Sequence, residues 1–143
     1  MQTKKITAEY IRGLIEGVGT FTFTTSPRSF NKKAKIPTFQ LRMNIRDKRL
    51  IELVREYLGL KNKVYIYHYP GSDGAKRGPQ AMLIVREIGN LKNIITPFFY
   101  DKLVGYKAAQ FNKWLESIGK DSEVPEGFKI LYRLHKSGWF SKK

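Results

Sequence analysis

The spacing of apolar residues changes several times along the chain, and each change marks an element. Between Ala8 and Gly17, Tyr10, Ile11, Leu14 and Ile15 recur at helical spacing behind Thr7, a capping residue, with the acid Glu9 in the first turn. A helix is predicted there, ending between Gly17 and Gly19. The run Thr20-Phe21-Thr22-Phe23-Thr24 then alternates at period two, the mark of a strand with one face buried. A second alternation runs from Thr38 to Arg46, with Phe39, Leu41, Met43 and Ile45 on one face and Thr38, Gln40, Arg42, Asn44 and Arg46 on the other. With the basic turn over residues 26–35 these strands predict a long hairpin with one polar, basic face.

Asp47 is the expected N-cap of a helix over Lys48 to Leu58, in which Leu50, Ile51, Val54, Tyr57 and Leu58 form one apolar face before Gly59 stops it. Val64 to Tyr69 and Gln80 to Arg86 predict a second hairpin around the turn-rich Pro70 to Gly74. Helices follow at about Gly89 to Phe99, with Pro97 inside or ending it, at Gly105 to Ile118, and at Glu126 to Lys136 after Pro125. The order predicts an α+β fold with helices on one face of an antiparallel sheet. One domain over 1–143 is expected, with a core over about 5–118 and a helical tail over about 119–143.

Charge narrows the partner. The chain carries 27 Lys and Arg against 12 Asp and Glu, a formal +15, with 41% hydrophobic residues to build a core. Its expected partner is a polyanion, and nucleic acid is the default because each neutralised phosphate releases a counterion. There is no cysteine, hence no disulfide, thiolate metal site or cysteine nucleophile. No uninterrupted apolar run suggests a membrane span. A cytoplasmic, organellar or nucleoid-associated setting is expected. His68 and His135 stand without ligand spacing around them and are expected to be packing or surface residues.

One stretch is specific. Ile11-Arg12-Gly13-Leu14-Ile15-Glu16-Gly17-Val18-Gly19, followed by Thr20-Phe21, resembles the nine-residue motif of the LAGLIDADG homing endonucleases. The strands after it, the helix start at Asp47, the second hairpin, and Pro97-Phe98-Phe99 leading to Lys107 and Trp114 extend the resemblance over roughly the first 118 residues. It implies an αββαββα order with a saddle-shaped antiparallel sheet, duplex DNA as substrate, Mg²⁺ as cofactor, and an intron-encoded origin. Gly13 and Gly17 share a helix face four residues apart and clear it for a second helix. With one motif per chain, the resemblance implies a homodimer in contact through Gly13, Leu14, Glu16 and Gly17.

The motif departs from the family at its eighth position, where the usual metal-binding carboxylate is replaced by Val18. A valine offers no oxygen to a hard cation. Two outcomes stay open: a protein that binds DNA without cutting it, or one in which Glu16, aided by the Gly17 carbonyl, takes the metal. Lys102 and Lys107 fall near the family's basic residues around the scissile phosphate and complete the catalytic candidates.

The candidate DNA readers are Thr20, Thr22, Thr24, Thr38, Gln40, Arg42, Asn44 and Arg46, since a β-ribbon fits the major groove and Arg, Asn and Gln match base edges there. Lys61, Lys63, Tyr65, Tyr67, Lys76, Arg77 and Arg86 extend that surface, and Arg28, Lys32, Lys33 and Lys35 at the hairpin tip are expected to grip phosphate. The competing class is a non-cleaving DNA-binding protein or an RNA maturase, with Tyr65, Tyr67 and Tyr69 able to stack on unpaired intron RNA bases.

Overall fold

The computed structural model describes residues 5–25, 34–68 and 78–141. Helix α1 (Ala8–Val18) begins where the Thr7 hydroxyl accepts the N–H of Tyr10 at 3.0 Å, as its sequence predicts. Strands β1 (Gly19–Thr25) and β2 (Lys35–Asn44) follow, then α2 (Lys48–Leu58), β3 (Val64–Tyr67) and β4 (Gln80–Val85). The four strands form one antiparallel sheet in the order β1-β2-β4-β3, so the two hairpins join through β2 and β4.

Register assigns the faces. Phe21 pairs with Phe39, Leu41 with Leu83, and Phe39 with Val85, and this row turns inward onto Ile11 and Ile15 of α1 and Ile51, Val54 and Leu58 of α2. The ring of Phe21 lies 4.8 to 5.6 Å from Phe39, Phe99, Phe111 and Trp114. Tilted and edge-on ring pairs of this kind each add about 0.5–1.5 kcal/mol beyond their buried area.

Two local expectations are corrected. Asp47 makes no capping hydrogen bond; a 3₁₀ turn (Ile45–Asp47) runs straight into α2, with the Lys48 N–H donating to the Ile45 carbonyl. The capping oxygen is Asn44 Oδ1, which accepts the N–H of Arg46 at 3.0 Å. Arg46 therefore lies beyond the strand, off its alternating face. The expected helix around Pro97 is present with the proline inside it: α3 (Ile88–Asn90), a π-helical turn (Leu91–Ile95) and α4 (Thr96–Phe99) are contiguous. Proline has no N–H and crowds the carbonyl four residues back, and the wider turn before it accommodates that defect.

Helix α5 (Tyr106–Lys120) crosses the core, and α6 (Ile130–Ser137) packs on it. The close approach demands Gly119, where a Cβ would stand 2.1 Å from the Tyr132 ring. Lys129 anchors the tail by donating to the carbonyls of Ile118 and Asp121, each at 2.9 Å. Gly59 and Gly138 end α2 and α6 with φ of 74° and 77°, a conformation glycine adopts freely. Among the described residues, no helix is long and apolar enough to cross a membrane.

Candidate nucleic-acid interface

The sheet face opposite the core carries rows of side chains set by the register. One row runs Thr20, Gln40, Ile84; the next Arg42, Met82, Tyr65; the next Asn44, Gln80, Tyr67. Thr22 stands beside Thr38 at the other end. The alternation predicted from β1 and β2 thus places Thr20, Thr22, Thr24, Gln40, Arg42 and Asn44 on a common face, joined by Tyr65 and Tyr67 of β3.

Strand β4 contributes Gln80, Met82 and Ile84 to this face, which sequence reasoning missed. Its two faces are nearly equally apolar, Ala81, Leu83 and Val85 against Met82 and Ile84, so period two was hidden. The signal was parity with Arg86, which continues the Gln80 row and brings its guanidinium to 3.4 Å from Thr24 Oγ1.

One expected reader, Thr38, and one expected phosphate contact, Lys35, are engaged elsewhere. Thr38 is fully buried: its hydroxyl donates to the Ile36 carbonyl at 2.8 Å and shares a 2.8 Å hydrogen bond with Thr24. Lys35, expected at a phosphate-gripping tip, instead pairs with Asp121 at 2.9 Å and Glu123 at 3.7 Å, tying the start of β2 to the helical layer. The hydrogen bond between them raises the Lys35 pKa and lowers that of Asp121. Arg28, Lys32, Lys33, Tyr69, Lys76 and Arg77 lie outside the described residues. Lys61 and Lys63 are exposed before β3, and the Lys63 ammonium sits 5.6 Å from the centre of the Tyr65 ring.

The face is held from behind along the β1 edge by one stripe of α5. Lys107 donates to the Gly19 carbonyl, Gln110 Oε1 accepts the Phe21 N–H at 3.1 Å, and Trp114 Nε1 donates to the Thr22 carbonyl at 2.8 Å. An edge strand left with bare amides and carbonyls invites wrong pairing, and these side chains occupy part of that edge.

Where α1 meets β1, Val18, Thr20, Thr22, Gln40 and Arg42 line a cleft of about 380 Å³. The side chain at position 18 therefore opens onto the outer face; it is 41% exposed. Glu16, the candidate ligand, accepts from the backbone N–H groups of Val104 and Gly105, with both oxygens engaged at the start of α5. An anion suits that helix end, where N–H groups lack helical partners. Lys107 is spent on the Gly19 carbonyl, and Lys102 is exposed in the turn after α4, outside the cleft lining.

These donors do not fit a hard divalent ion. Mg²⁺ takes oxygen ligands in near-octahedral array; Val18 supplies none, and the carboxylate of Glu16 is committed to two amides. Among the described residues no group of three or more His, Cys, Asp or Glu could hold a metal.

The remaining feature is the outer surface of α1. Gly13 and Gly17 are exposed, and a Cβ on either would meet nothing within 4 Å. Leu14 is partly buried against the core between them. Beside this face, around the amides that Glu16 binds, Val104 and Tyr106 are 89% and 83% exposed.

The sequence pattern described as LAGLIDADG endonuclease matches residues 11–118. Curated protein sequences give no match. Among solved structures, the LAGLIDADG meganuclease I-CpaMI bound to uncleaved DNA is 23% identical, over 96% of this chain and 47% of its own, with a TM-score of 0.64. The I-LtrWI LAGLIDADG homing endonuclease bound to target DNA is 27% identical, over 87% of this chain and 41% of its own, with a TM-score of 0.63. The homing endonuclease I-TnaI is 18% identical, over 94% of this chain and 99% of its own, with a TM-score of 0.63. The chain thus spans less than half the length of the first two and nearly all of the third.

Proposed function

The chain belongs to the LAGLIDADG endonuclease family, and from that premise we propose that it binds a long, pseudo-palindromic duplex DNA site as a homodimer and does not cut it efficiently. The observation that carries this reading is the end of α1: Val18 faces the cleft without an oxygen, while both oxygens of Glu16 serve the amides of Val104 and Gly105. Mg²⁺ is the cofactor the family implies, and this donor set gives it no seat.

Three further features support binding. The outer face presents Gln40, Arg42 and Asn44 at register positions suited to base edges in a major groove. The open glycine face of α1 suits a second copy of the same helix, and two copies would set two such faces along one duplex. The dimer carries a formal 2 × 15 = +30, so affinity should fall steeply with salt.

The test selects a duplex from a randomised pool and measures binding, mass in solution and integrity of the DNA with Mg²⁺ or Mn²⁺. Expected are a dimer, salt-sensitive binding and uncut DNA; Val18→Asp is expected to gain metal affinity and cutting. Efficient double-strand cleavage by the unaltered protein overturns the non-cutting reading. A monomer that ignores duplexes at low ionic strength overturns the whole. The exposed rings of Tyr65 and Tyr67 favour a second reading, stacking on unpaired bases of intron RNA; competition between the duplex and structured RNA separates the two.

A further inference from the structure

The outer face is chemically divided. Toward β1 it carries hydroxyls, the Gln40 amide and the Arg42 guanidinium; toward β3 it carries Ile84, Tyr65 and Tyr67. Apolar atoms facing water in the middle of a strongly basic surface are unfavourable alone. They suit a partner that brings an apolar group to the same place.

Resting on the duplex-DNA reading above, we propose that Ile84 and Tyr65 form a subsite for the C5 methyl group of thymine. Both line a cleft of about 570 Å³ whose other walls include Lys61, Lys63 and Arg86. Ile84 is held in position from both sides: its Cα pairs with Gln40 of β2, and its carbonyl accepts the Asn62 side-chain amide at 2.9 Å. Tyr65 pairs with Met82, and the Lys63 ammonium stands over its ring. Met82 is 7% exposed and fills the row between Arg42 and Tyr65, leaving little surface for a ligand.

The cations and the apolar floor do different work. Phosphate contacts fix position without reading sequence, so the lysines and Arg86 can place the backbone. In the major groove only thymine among the four bases presents a methyl group, so an isoleucine and a tyrosine ring there favour thymine by burying it. Glu87 also lines the cleft, and its carboxylate accepts from the Asn90 amide at 3.4 Å. Because β3 is the sheet edge opposite β1, the position read is displaced from the base pairs near Val18.

The experiment replaces each thymine of a selected duplex, one at a time, by deoxyuridine, which deletes the methyl and keeps the base pair. The unaltered protein is expected to lose about fourfold in affinity at one or more positions away from the centre of the site, the size expected for one buried methyl-sized group. Ile84→Ala is expected to bind thymine and uracil equally at that position while still discriminating at others. Tyr65→Ala, on an exposed side chain, gives the same readout if Ile84→Ala folds poorly. Sequence-specific binding with thymine and uracil equivalent everywhere overturns this inference alone, as does a fourfold difference that survives both variants. Absence of duplex binding overturns it together with the DNA reading.

Discussion

Glu16 accepts the backbone N–H of Gly105 at 3.1 and 3.3 Å across eighty-nine residues of sequence, so the last turn of α1 and the first turn of α5 share one anion. The same carboxylate takes the N–H of Val104. No side chain of α5 caps its own N-terminus: Gly105 is the cap residue and carries none. Glu16 does that work from another helix, two residues before Val18 opens onto the outer face.

Glu16→Gln tests this. Glutamine keeps the shape and one acceptor oxygen but removes the charge at the helix end, and a cost of about 1 kcal/mol is expected, the usual worth of an N-terminal cap. Urea denaturation reads the loss, and amide exchange at Val104 and Gly105 should quicken with it. A midpoint equal to that of the unaltered protein, with no change at those amides, would mean that the carboxylate is not holding α5.

Gly13→Leu separates helix stability from association. The open space around Gly13 accommodates a side chain in the isolated chain, and leucine is the better helix former by about 0.8 kcal/mol. Folding stability should therefore hold or rise while the proposed dimer is lost, because the new side chain keeps a second α1 away. Sedimentation gives the mass and denaturation gives the stability. A variant that remains dimeric would move the interface off this face.

The parts written in short-range pattern were legible. The Thr7 cap, the alternation of β1 and β2 and the apolar face of α2 all follow from residues within a few positions of one another, and register turned that alternation into a face. What stayed hidden depends on partners far along the chain. Lys35 looks like any tip lysine until Asp121, eighty-six residues on, is folded beside it. The stripe Lys107, Gln110, Trp114 is visible at helical spacing, yet nothing local says that it serves the backbone of β1. Glu16 is legible as a helix-end acid, and its role was open because the amides it binds belong to a different helix.

Thr96 is fully buried and its hydroxyl finds no hydrogen-bond partner among the described residues, beside Pro97 where the helix has widened. A buried hydroxyl that bonds nothing has surrendered its water for no return, at a cost of about 1–3 kcal/mol. Valine has the same shape without that liability, and helical backbone suits the two about equally. Thr96→Val is expected to stabilise the fold by about 1 kcal/mol, which raises the melting temperature by about 3 °C in a domain of this size. A lower melting temperature would show that the hydroxyl has a partner, such as an ordered water.

Acid should loosen the tail before it unfolds the core. Glu116 on α5 gathers Lys136 at 2.9 Å, Lys120 at 3.3 Å and His135 at 3.0 Å, and the hydrogen bond from Lys136 lowers its pKa; Asp121 is lowered likewise by Lys35. A carboxylate whose folded pKa is depressed contributes stability that is fully present above its unfolded value, near pH 4, and is lost as pH falls through the folded value. Lys35 and Lys136 are raised, so their share is present below the ordinary lysine range and is lost only as pH rises through their folded values. Both carboxylate pairs are therefore intact at neutral pH, and the stability advantage of the unaltered protein over Asp121→Asn and Glu116→Gln should shrink below about pH 4 and be lost as pH falls through the lowered folded values. These side chains are partly exposed, so added salt should shrink the same advantage at pH 7. Denaturation of the three proteins between pH 2 and 7 checks the sign, and an advantage that grows toward low pH would contradict the assignment of both pairs.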